Sequence, residues 1–123
     1  MRILVVDDEL DIKILFEQRF RKEIRLHEFD FLFANSGEEA LNILKENFHQ
    51  AILILSDINM PGMSGLQLLE KIRASHEEPP PVVMMITAYG DEENYQQAMK
   101  LGANDFLTKP LDFNLLKEKL KSL

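Results

Sequence analysis

Three runs in this chain are apolar at consecutive positions: ILVV (Ile3–Val6), AILILS (Ala51–Ser56) and VVMMIT (Val82–Thr87). Successive side chains of a strand point to opposite faces, so a strand without alternation must be covered on both sides. Two further strands are expected: HEFDFLFAN, where Phe29, Phe31 and Phe33 alternate, and the short DFLTKP, closed by Pro110. Amphipathic segments separate the strands. Leu10–Ile24 places Ile14, Leu15 and Phe20 near helical spacing. NSGEEALNILKENF opens on Ser36 with Glu39 three residues on, a capping-box pattern, and offers Ala40, Leu41, Ile43 and Leu44 for burial. SGLQLLEKIRAS turns Leu66, Leu69 and Ile72 inward, and DEENYQQAMKLG starts acidic and stops at Gly102. Asp112 caps a last helix, Phe113 to Leu120, with Leu115, Leu116 and Leu120 mainly toward the core, while EEPPP (Glu77–Pro81) marks a loop. Strand and helix alternate five times. That order predicts a doubly wound α/β fold, a five-stranded parallel sheet with right-handed crossovers and helices on both faces.

The 123 residues suit a single domain, 1–123, able to bury a core without staples. There is no cysteine, which excludes disulfides, thiolate catalysis and cysteine metal sites. No run of about 18 apolar residues suggests a membrane span, and the first residues meet acids too soon for a signal peptide. A soluble cytoplasmic protein is the expectation. The net charge of −7 disfavours binding to phosphate backbones. Lys117, Lys119 and Lys121 read as cations on the exposed face and last turn of a helix, where the macrodipole favours them.

In an open α/β sheet, ligands bind beyond the carboxyl ends of the strands. Asp7 and Asp8 follow the first strand, Asp57 the third, Thr87 closes the fourth and Lys109 the fifth. The sheet would bring these distant positions to one edge. Three carboxylates together repel one another, and Lys109 offsets only one charge. A divalent cation resolves the remainder, and an all-oxygen donor set favours a hard ion such as Mg²⁺. Carboxylates, a hydroxyl, an ammonium and Mg²⁺ suit phosphoryl transfer, with an aspartate able to act as the nucleophile.

ILVVDDE, ILSDINMPGMSG, VVMMITAYG and GANDFLTKP together resemble the receiver domain of two-component response regulators, over the whole chain. The resemblance implies the flavodoxin-like strand order 2-1-3-4-5 and a signalling switch rather than a classical enzyme. Such a domain catalyses its own phosphorylation and slow dephosphorylation. It implies Asp57 as phosphoacceptor, with Asp8, Asp57 and the Asn59 main-chain carbonyl on Mg²⁺ (Mn²⁺ as a substitute) and Asp7 acting mostly through water. Thr87 and Lys109 would each meet a phosphoryl oxygen, Phe106 falls at the switch aromatic position, and the Lys109–Pro110 bond would be cis. Asn59 and Tyr89 occupy positions that tune phosphoryl lifetime in that family. The implied donor is a sensor histidine kinase or a histidine phosphotransfer protein. The implied output surface is the fourth helix, fifth strand and fifth helix, with Tyr95, Lys100, Asp105, Phe106 and Lys117 as its residues, facing an output protein or a separate effector domain. The chain limits coincide with the first strand and last helix, as expected of a stand-alone or amino-terminal receiver.

Other readings fit less well. Haloacid-dehalogenase-like phosphatases carry a second acid two residues after the nucleophile, where this chain has Asn59. A nucleotide or flavin binder needs a phosphate cradle, but DDELD after the first strand has no glycine and the wrong charge. A scaffold that works without phosphorylation would show itself by failure to label Asp57. His27, His49 and His76 share no ligand spacing and read as surface residues; Met60, Met63, Met84 and Met85 read as packing.

Overall fold

The computed structural model describes residues 1–47, 52–77, 79–88 and 91–123. His49 and Tyr89 lie outside them, as do the start of the AILILS run and the end of the helix after Ser36. In chain order the elements are β1 (Arg2–Val6), α1 (Ile12–Arg19), α2 (Arg21–Arg25), β2 (Asp30–Ala34), α3 (Gly37–Asn47) and β3 (Ile52–Asp57). α4 (Gly65–Ala74), β4 (Val82–Ala88), α5 (Glu92–Lys100), β5 (Asp105–Lys109) and α6 (Phe113–Lys121) complete the chain. All strand pairs are parallel, in the order β2-β1-β3-β4-β5, as the resemblance implies.

Consecutive apolar residues divide between two cores. Leu4, Val6, Ile54, Val83 and Met85 face the layer that includes Ala40, Leu68, Leu69, Ile72 and Ala98 of α3, α4 and α5. Ile3, Val5, Leu53, Leu55, Met84 and Ile86 face Phe16, Phe20, Leu116 and Leu120 of α1 and α6. On this second side the alternating Phe29, Phe31 and Phe33 join Phe16, Phe20 and Phe113 in an aromatic cluster, with ring centroids 5.1–6.3 Å apart. No helix among the described residues is long and apolar enough to cross a membrane.

Helix boundaries follow local chemistry. The Asp91 side chain accepts from Asn94 N–H, and that of Asp112 accepts from Asn114 and Leu115 N–H. Ser36 Oγ accepts from Glu39 N–H, while the full reciprocal box forms at Ser64 and Gln67. Gly102 ends α5 at φ +99°, a left-handed position that glycine takes at no steric cost.

The structure corrects several helical expectations. The stretch from Leu10 to Ile24 is two helices broken at Phe20 (φ −111°, ψ 22°), so the helical segments number six among the described residues. Ile14 is 58% exposed, because Ile12, Phe16 and Phe20 set the inward stripe and a residue two on from Ile12 lies about 200° round the helix. Leu115 is likewise outward and Leu116 with Leu120 inward, and Leu68, not singled out from the sequence, is buried in the same core against which the half-buried Leu66 packs. All three carboxyl-terminal lysines are more than solvated cations, with Lys121 Nζ reaching the Glu23 carboxylate at 4.0 Å. Lys117 Nζ lies 3.3 Å from the buried Glu23 carboxylate and above the Phe20 ring, and Lys119 donates to Asp105 at 2.8 Å.

Candidate functional site

Parallel register delivers the strand ends to one edge. Val6 pairs with Ser56, Asp57 with Ile86, and Ala88 with Lys109. Asp7, just past β1, is therefore beside Asp57, the last residue of β3. One carboxylate oxygen each from Asp7, Asp8 and Asp57 lies within 4.8 Å of the others. Asp7 and Asp57 are buried and Asp8 is exposed. The donors are all oxygen, and two of them are held in a low-dielectric setting. This set fits a hard divalent cation, which both neutralises the carboxylates and tolerates water in the remaining positions.

Each buried carboxylate is held by the protein. Lys109 Nζ donates to Asp57 Oδ2 at 2.9 Å, and Asn59 N–H donates to Asp57 Oδ1 at 3.3 Å. Asp7 Oδ1 accepts from Glu9 N–H at 2.9 Å. Burial pushes the Asp7 carboxyl above its ordinary range; the Asp57 charge adds to this, and the Glu9 N–H and Lys109 oppose it. For Lys109, burial favours the neutral amine, but the hydrogen bond and charge of Asp57, with Asp7 and Glu9, outweigh it and raise its pKa. The lysine is thus firmly cationic.

Thr87 is fully buried, and its Oγ1 is without a hydrogen-bond partner. A buried unpaired hydroxyl is costly, and it is available to an incoming oxygen. Phe106 is half-buried, and its ring meets Tyr95 of α5 edge-on, with centroids 4.8 Å apart. The Lys109–Pro110 peptide is cis. Asn59 is exposed beside Asp57. Asp7, Asp8, Asp57 and Lys109 are thus brought together, Thr87 stands on the strand next to Asp57, and Phe106 lies further down β5.

One residue at the site has a role that sequence reading left open. Gly65 opens α4, and a Cβ there would press on the Asp57 carbonyl oxygen and come within 2.8 Å of Ile58 Cα. Its N–H donates to Ile58 O at 2.8 Å. The glycine lets α4 start directly against the backbone that presents Asp57. The two glycines of the turn, Gly62 and Gly65, were the only signal of this in the sequence.

An open parallel sheet with an oxygen-only acidic pocket and a paired lysine at its carboxyl edge places the chain among the flavodoxin-like α/β proteins. Within that class, the model of the response regulator receiver domain matches residues 3–121, and the chain belongs to that family. It is 35% identical to a CheY homologue of Campylobacter jejuni over 100% of this chain and 92% of the relative. It is 36% identical to the chemotaxis protein CheY1 of Helicobacter pylori, over 98% and 94%. With the response regulator protein PilR of Pseudomonas aeruginosa it shares 41% identity over 95% of this chain but 24% of that protein. Among solved structures, a receiver domain from Clostridium thermocellum superposes with a TM-score of 0.85 at 30% identity, covering 98% of this chain and 91% of that one. Receiver domains are signalling domains of two-component systems, and the chain is one of them.

Proposed function

We propose that this receiver accepts a phosphoryl group on Asp57 in a Mg²⁺-dependent reaction and works as one switch unit over residues 1–123. The observation that carries this reading is the buried Asp57 carboxylate, 2.9 Å from Lys109 Nζ and within 4.8 Å of two further carboxylates. In the reaction an Asp57 oxygen forms a bond to phosphorus. The bond from phosphorus to the donor breaks, P–N for a phosphohistidine or P–O for an acyl phosphate, and the leaving group takes the electron pair. Mg²⁺, held by Asp8, Asp57 and the Asn59 carbonyl with Asp7 in support, would neutralise charge on the phosphoryl oxygens. Lys109 keeps its positive charge beside the group, and the unpartnered Thr87 hydroxyl is free to donate to a phosphoryl oxygen.

The donor is a sensor histidine kinase or a histidine phosphotransfer protein. The output leaves through α5, β5 and α6, where Tyr95, Lys100, Asp105, Phe106 and Lys117 stand, toward an output protein or effector domain. Asn59 tunes how long the phosphoryl group lasts. The test is intact-mass measurement after incubation with acetyl phosphate, with and without Mg²⁺. One phosphoryl group should be gained only with the metal, and none by Asp57→Asn. Labelling of Asp57→Asn at the wild-type rate would overturn the assignment.

A further inference from the structure

The acids of the site sit on two loops, and both loops rest on a third connection, between β2 and α3, that gives the site no chemical group. Asp7 N–H donates to the carbonyl of Ala34, the last residue of β2, at 3.1 Å. The loop after Asp57 meets the same connection at Gly37, which opens α3. A Cβ on Gly37 would lie 2.7 Å from Met63 Sδ, 2.9 Å from its Cγ and 3.0 Å from its Cβ. Gly37 is buried, and the positive-φ glycines are Gly62 and Gly102, so its helical backbone would admit alanine. This glycine serves closeness. Met63 fills the notch left by the missing side chain and packs from there against the core that α3 and α4 share.

Met63 belongs to the stretch that links Asp57 to α4. Ile58 N–H fixes its near end by donating to Ile86 O at 2.9 Å, and Gly65 N–H fixes its far end by donating to Ile58 O at 2.8 Å. Between these anchors Met63 sits on Gly37. The same stretch includes Asn59, the main-chain ligand of the proposed metal site. Mg²⁺ demands near-ideal octahedral geometry with oxygens at about 2.0–2.1 Å, so a small shift of that carbonyl is felt.

We propose that Met63, seated on Gly37, is a positioning residue. It fixes how far the Asp57–Asn59 backbone stands from the Asp7 loop, and through that the metal affinity of the pocket. This deepens the phosphoacceptor reading and rests on it for the use of the metal. A methyl group on Gly37 takes the seat away. The thioether end of Met63 can swing into the open groove between α3 and α4, lined by Glu38, Gln67 and Glu70, but its Cβ moves only with the loop. Carbon atoms in ordinary contact stand roughly 3.5–4.0 Å apart, so the loop gives by about 0.5–1 Å. Mg²⁺ affinity should then fall about 10-fold, the low end of what loss of a ligand's support costs.

Amide NMR reads both parts, in chelator and along a MgCl₂ titration. Gly37→Ala should shift the Asn59 amide signal in the metal-free protein and weaken Mg²⁺ binding about 10-fold. In a Met63→Gly background, which removes the three crowded atoms, Gly37→Ala should do neither. Ser36→Ala is the control for a merely structural effect. It removes the Oγ that accepts from Glu39 N–H, loosening the first turn of α3 with no bulk added beside Met63, and should leave both readouts in place. An Asn59 signal unmoved by Gly37→Ala, or moved equally in the Met63→Gly background or by Ser36→Ala, overturns the proposal. So does a moved signal with Mg²⁺ affinity unchanged. A wild type that binds no Mg²⁺ refutes the metal reading instead, while the amide test in chelator still decides whether Met63 positions the loop.

Discussion

Replacing Asp7 by asparagine should make the metal-free protein more stable. The carboxylates of Asp7 and Asp57 both lie in the buried half of a cluster whose oxygens are within 4.8 Å of one another. Two like charges at that distance repel by roughly 3.5 kcal/mol at an effective dielectric of about 20. Lys109 attracts Asp7 and cancels much of this, and the substitution loses that attraction as well. The residue of the two, with the relief of burying one charge fewer, is about 1 kcal/mol. For a chain of this size that corresponds to roughly 3–5 °C in melting temperature. The asparagine oxygen can still accept from Glu9 N–H, so the local turn survives. The effect must depend on pH. The Asp7 carboxyl titrates above its ordinary 3.8 in the folded chain. Its contribution to stability is therefore full below the ordinary value and is lost as pH rises through the raised one. Asp7→Asn removes that loss. Urea melts in chelator should show no advantage for the variant in strong acid and an advantage that grows toward neutral pH. Mg²⁺ should stabilise the wild type by roughly 0.4 kcal/mol when its concentration equals the dissociation constant, and the variant by less. A variant less stable than wild type at neutral pH, or an advantage that does not shrink on acidification, would refute the reasoning, because the carboxylates would then be satisfied without a cation.

Gly65→Ala should destabilise the fold by about 3 kcal/mol and slow phosphorylation, since the added methyl displaces the backbone that carries Asp57; denaturant melts and mass labelling measure both. Lys117→Met should cost about 2 kcal/mol at neutral pH, because among the described residues the only cation then left to the Glu23 carboxylate, 6% exposed, is Lys121 at 4.0 Å; the cost should fall in acid as Glu23 takes up a proton. His27→Gly should stabilise by about 0.5 kcal/mol in thermal melts, because His27 sits at φ 58° and glycine removes the left-handed strain at some cost in chain entropy.

Much of this protein was legible in one dimension. Consecutive apolar residues in Ile3–Val6 and Val82–Thr87 demand two covered faces, and the two cores divide those residues alternately as a strand must. The groups that end each strand, Asp7, Asp8, Asp57, Thr87 and Lys109, could be named because a parallel sheet aligns its carboxyl ends whatever lies between. The resemblance added the strand order. What periodicity could not convey was the choice among near-equal alternatives at fixed spacing. Ile14 and Phe16, or Leu115 and Leu116, are equally apolar, and only the position of the opposing sheet decides which one turns inward. Likewise Lys117 looked solvated until the break at Phe20 set Glu23 beneath it, and nothing along the chain set the surface residue Tyr95 against the ring of Phe106. Local pattern depends on neighbours along the chain, whereas a buried ion pair, a ring contact or the closeness of Gly65 to Asp57 depends on where distant segments come to rest, and packing settles that in three dimensions.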